Sequence, residues 1–72
     1  MENIMFMVVF SKMGELVSVI KQGFKNAEKH AWQTARKDRT ITAITILNAD
    51  AELVVRWNES EIQEILENNS YV

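Results

Sequence analysis

Two pairs of short apolar strands enclose a single helix in this chain, and that order leaves few folds open. Residues 4–22 and 40–57 each read as two strands around a turn. Residues 26–38, between them, carry Ala27, Ala31 and Ala35 at four-residue spacing, with Thr34 beside them. At 3.6 residues per turn this spacing builds one face, and such small side chains let that face lie close to a sheet. Asn26 is the expected N-cap, Glu28 suits the first turn, and Phe24 anchors the approach. Trp32 falls roughly 100° from the centre of the alanine face, on its flank, part covered and part available. His30 flanks the other side. Lys29, Gln33, Arg36 and Lys37 point outward, and Arg39 and Thr40 end the helix.

The run 4–10, from Ile4 to Phe10, is apolar at every position. A strand with one face in water alternates, whereas a continuous run wants cover on both sides. Ser11 to Gly14 form a turn, with Gly14 free to take positive φ. Residues 16–20 resume the strand, so an antiparallel hairpin is expected, ended by Lys21, Gln22 and Gly23. Residues 40–47 are rich in β-branched side chains, which suit a strand. Residues 48–51 are a polar turn, and 53–57 form a fourth strand with Leu53, Val55 and Trp57 on one face. Asn58 then caps a second helix at about 59–68, and with Glu61 it has the spacing of a capping box. Ile62, Ile65 and Leu66 form the apolar stripe of that helix. Glu59, Glu61, Glu64 and Glu67 line the rest, and Asn68 and Asn69 stop it.

The expected fold is α+β, one domain over 1–72 with its core at 4–57 and the order β-β-α-β-β-α. Four strands make a mainly antiparallel sheet, the first helix covers one face, and an acidic helix closes the chain. The second helix can cover the same face, the back of the sheet or another subunit. The two-sided apolarity of the first strand also admits a homodimer or a partner surface.

A chain of 72 residues buries only roughly 60% of its unfolded surface. With no cysteine, neither a disulfide nor a thiolate metal site can supplement its core, which fits a reducing cytoplasm. The run 4–10 is too short to span a bilayer. Glu2 and Asn3 precede it in place of a cationic segment, so no signal peptide and no membrane association are expected. Net charge is −2, unevenly placed: residues 1–47 hold seven Lys or Arg against four acids, and residues 48–72 hold one Arg against six acids.

Catalytic chemistry finds little footing. His30 is the one histidine and no serine lies in a nucleophile-elbow context, so no catalytic residue is assigned and no enzyme is expected. The carboxylates of the second helix lack a histidine or cysteine to join them, and the segment 48–52 lacks the glycine of a calcium loop, so no metal is expected. Gly14 and Gly23 are isolated, which excludes a phosphate loop and leaves no cofactor. Binding remains. Trp32 beside Lys29, Gln33, Arg36, Arg39 and Thr40 has the composition of an interface hot spot. The same cations, with Lys21, Lys25 and Lys37, keep a small nucleic-acid-binding regulator as the alternative, in which Trp32 would stack on an unpaired base. A dimeric structural module is a third reading.

Three segments carry a resemblance: the opening strand from Met7 to Phe10, the helix segment from Trp32 to Ala35, and the hairpin from Ala43 to Val55 with its polar turn at Asn48. Together they resemble the Dmd-like antitoxins of T-even-type phages, over roughly residues 5–57. The resemblance implies a compact β-β-α-β-β plan. It also implies a function: binding and occluding a host RNase toxin of the RnlA or LsoA type, in the host cytoplasm, so that phage mRNA survives. Trp32 best matches the family's helix tryptophan. The acidic helix after residue 58 is a departure, because the short family members lack it. It offers a second route to inhibition, since an acidic wedge can imitate RNA phosphates in a basic groove.

Overall fold

The computed structural model describes residues 4–68. Its elements are β1 (Met5–Lys12), β2 (Glu15–Gln22), α1 (Phe24–Lys37), β3 (Ile41–Leu47), β4 (Leu53–Trp57) and α2 (Glu59–Glu67). The order matches the sequence reading. Asn69, expected to help stop the second helix, lies outside the described residues; Asn68 takes the C-cap.

The four strands form one antiparallel sheet in the order β2-β1-β3-β4. β1 and β3 are central, and β2 and β4 are the edges. β2 and β3 therefore run parallel with β1 between them, and α1 is the crossover that joins them. Met13 and Gly14 make the two-residue turn of the first hairpin, with φ of 40° and 86°. Two positive φ values in succession are the signature of a type I′ turn, whose twist matches the flanking strands.

α1 starts three residues earlier than its sequence suggests. Gly23, at φ 86°, occupies the N-cap position, and its N–H donates to the Ile4 carbonyl at 2.7 Å. Asn26 is not the cap: its side-chain amide donates backward to the Gln22 carbonyl at 2.8 Å. With the start at Phe24, Glu28 falls outside the first turn. Glycine wins the position because the chain must leave β2 through a positive φ that other residues resist.

Helices cover one face of the sheet. Val8 and Phe10 of β1, Ile41, Ile44 and Ile46 of β3, the three alanines and Trp32 of α1, and Ile62 of α2 form one buried cluster. Ala27, Ala31, Ile44 and Ile46 have no exposed surface. Each isoleucine so placed contributes roughly 2–3 kcal/mol of transfer free energy. Both helices thus lie on the same face, which answers the question left open by the second helix. Phe24 meets Phe6 edge to face at 5.6 Å, fixing the start of α1 over β1.

α2 begins with a complete capping box. Asn58 accepts from the Glu61 N–H at 2.9 Å, and the Glu61 carboxylate accepts from the Asn58 N–H at 2.9 Å. Asn48 organises the second hairpin: its side-chain oxygen accepts from the Asp50 and Glu52 N–H groups, both at 2.9 Å. A register shift at Leu47 alters the expected fourth strand. Val55 and Trp57 pack with the core, but Leu53 pairs with Leu47 and is 62% exposed. The bulge, by adding a residue, rotates Leu53 onto the other face.

Candidate functional site

Among the described residues, the face of the sheet away from the helices is uncovered, and it is rich in apolar side chains. Side chains alternate along a strand, and cross-strand partners share a face. The face opposite Val8, Phe10, Ile44 and Ile46 therefore carries Met5, Met7 and Val9 of β1, Leu16 and Ile20 of β2, and Leu47 and Leu53 at the ends of β3 and β4, with the polar Ser11, Ser18, Gln22, Thr45 and Arg56 among them. Leu16 is 74% exposed, Ile20 59% and Met5 41%, while Met7, Val9 and Leu47 are half-buried by their neighbours. Met5, Met7 and Ile20, with Phe6, Asn48 and Ala49, line a shallow dip at the end of the sheet. Arg56 of β4 donates to the Thr45 hydroxyl at 3.2 Å, which sets a polar pair beside Val9 on the same face.

This explains the continuous apolar run at the start of the chain. Phe6, Val8 and Phe10 face the helices, and Met5, Met7 and Val9 face outward. Among the described residues, nothing covers the second set. Exposed apolar side chains gathered on one face suit an interaction site, and flexible methionines adapt to a partner's contours.

The residues singled out from the sequence are placed differently. Trp32 is 2% exposed and belongs to the core. The expectation of a half-available indole on the flank fails because Trp57 stands against it, ring centroids 5.0 Å apart at 68°, and α2 joins α1 on the same face. What would be a flank under one helix is interior under two. A buried indole cannot serve as a protruding anchor, nor stack on an unpaired base. Lys29, Gln33 and Arg36 are exposed on α1 and, together with the edge of the otherwise buried Trp32, line one shallow groove. Arg39 and Thr40 are not among its lining. They lie past the helix end, where Thr40 donates to the Asp38 carboxylate from its N–H at 3.0 Å and from its hydroxyl.

Asp38 is the C-cap of α1 and also pairs with Lys12 at the end of β1, at 2.7 Å. The Lys12 ammonium, then the Thr40 hydroxyl and N–H, hold the Asp38 carboxyl down at about 2. Asp38 in turn raises the Lys12 ammonium. Burial lowers the His30 imidazole, with Lys21 adding to the effect. His30 packs edge to face on Phe10 at 6.0 Å, and its Nε2 lies 3.4 Å from the Thr34 hydroxyl. These contacts are with core and helix side chains, and no carboxylate orients the ring through them.

Among the described residues, no group of three or more His, Asp or Glu could hold a metal ion. Nor is any helix among them long and apolar enough to cross a membrane. The uncovered face was half legible in the sequence. The signal was the two-sided apolarity of residues 4–10, but assigning Leu16, Ile20 and Leu53 to the same face needs the strand register. No family model, curated protein or solved structure matches the chain.

Proposed function

We propose that this protein acts by binding another protein through the uncovered sheet face, as a phage-type antitoxin that occludes a host RNase toxin of the RnlA or LsoA type. The supporting observation is the patch of Met5, Met7, Leu16, Ile20 and Leu53 on a face that neither helix covers. A partner that buries this patch gains the hydrophobic term that this chain's own folding leaves unused. The exposed polar groups of α1, Lys29, Gln33 and Arg36, lie on the opposite layer and act as solubilising surface in this reading. Occlusion is stoichiometric and asks for no chemistry from the inhibitor, so the protein is proposed as a non-enzyme working in the host cytoplasm.

The experiment is a titration of the purified protein into an RNase toxin of that type, reading RNA cleavage and binding heat together. The expected result is loss of cleavage at one equivalent. Ile20→Asp and Leu16→Asp should each weaken binding at least tenfold while leaving the fold intact, because both side chains are already in water. Absence of binding at micromolar concentration rejects this partner. Full inhibition by both variants rejects the face.

A further inference from the structure

The outer edge of β2 is self-complementary, and we infer that two copies of this chain pair there, antiparallel and about a two-fold axis at Ser18, into one eight-stranded sheet. This inference rests on the strand edge and stands apart from the inhibitor reading. β2 runs eight residues without a register shift against β1, and among the described residues no strand pairs with its far side. Proteins blunt such edges with charges, proline, bulges or short strands. The other edge, β4, does so: it is five residues long, bulged, and carries Arg56. From Leu16 to Ile20, β2 carries no charge, proline or glycine.

The register follows from the hairpin. In a two-residue hairpin the pair flanking the turn exchanges ladder hydrogen bonds. That pair is Lys12 and Glu15, so Glu15, Val17, Val19 and Lys21 bond to β1. Leu16, Ser18 and Ile20 turn their N–H and C=O groups outward. A second β2 centred on Ser18 meets those groups with its own. Ser18 then faces Ser18 of the other copy, and Leu16 faces Ile20 twice, on the uncovered face. On the helix face Glu15 stands opposite Lys21, also twice, and Val17 opposite Val19. Every opposed pair is favourable: two ion pairs, two apolar contacts in the open patch, two valine contacts and one serine pair at the axis. Shifting the register by one residue sets Leu16 against Lys21 and loses both ion pairs. In the paired sheet the two apolar faces become continuous, with all four helices on the other side.

Sedimentation equilibrium of the whole chain from low micromolar to millimolar concentration tests this, using wild type, Glu15→Lys, Lys21→Glu, and an equimolar mixture of the two variants. Wild type is expected to dimerise. Each variant alone places like charges opposite each other at both ends and should dimerise on the order of tenfold more weakly. The mixture restores both ion pairs and should regain the wild-type dissociation constant. A monomeric wild type overturns the inference, and so do variants that dimerise as tightly as wild type, since the copies then meet through another surface. Weak variants whose mixture does not recover overturn the register. The toxin titration reads separately, because a monomer that still inhibits leaves the inhibitor proposal standing.

Discussion

The indole of Trp32, in the middle of α1, meets the indole of Trp57, the last residue of β4, edge to face at 5.0 Å. Asn58, the next residue, caps α2. One aromatic contact therefore joins the first helix to the point where the chain turns into the second, and it makes Trp32 a structural residue.

Trp32→Ala should cost about 3 kcal/mol or more, from lost burial and the cavity left behind. In a domain of this size each kcal/mol moves the melting temperature by roughly 4–8 °C. Trp32→Phe should cost less, because a ring still faces Trp57. Urea denaturation reads both. Partner affinity, measured on the folded fraction, should not change with either; a variant of normal stability that loses affinity would contradict the core assignment.

Met13→Asn should raise stability by about 0.5–1 kcal/mol. Met13 holds φ 40° in the hairpin turn and is 83% exposed, so it bears left-handed strain with little packing to lose. Asparagine tolerates that conformation and favours type I′ turns before glycine. Met13→Val should shift the denaturation midpoint the other way.

Asn58→Ala should cost about 1 kcal/mol, the usual value of an N-cap. The loss should concentrate in α2, because the Glu61 N–H loses its acceptor. Amide hydrogen exchange should show faster exchange in the first turn of α2, with β1 and β3 protected until global unfolding. Uniform loss of protection would mean that α2 and the sheet open together.

Acidification should destabilise the fold in two windows. His30 has a folded value below its unfolded one of 6.5, so the unfolded chain binds the proton more readily. Stability is full above that value and begins to fall below it. Asp38 drops from 3.8 to about 2 on folding, so its contribution is present above the unfolded value and lost between about 4 and 2. Urea midpoints taken against pH should show both declines. His30→Gln should flatten the first and Asp38→Asn the second, and a carboxyl NMR titration of Asp38 should have its midpoint near 2.

The strand and helix order was legible because each element carries its own periodicity: Ala27, Ala31 and Ala35 for α1, Ile62, Ile65 and Leu66 for α2, and β-branched runs for the strands. What failed depended on neighbours. Trp32 reads as a flank residue if one helix covers the sheet, and becomes core only when Trp57 and α2 arrive beside it. Leu53 reads as an inward partner of Val55 until the bulge at the start of β4 turns it around. Asn26 has the chemistry of a cap, but a glycine three residues earlier, already forced to positive φ by the exit from β2, takes the position. The site was legible only in β1, where both faces of one strand are visible in one run.

Ala27, Ala31 and Ala35 together show almost no exposed surface, and their smallness sets how far the axis of α1 stands from the sheet. Any larger side chain at these positions would have to push the whole helix outward, and the Trp32–Trp57 contact with it. In a saturation library scored for folding, these three codons should tolerate glycine and serine and little else, while Lys29, Gln33 and Arg36, on the exposed side of the same helix, should accept nearly anything. That contrast would write the geometry of a helix lying flat on a sheet into the pattern of surviving variants.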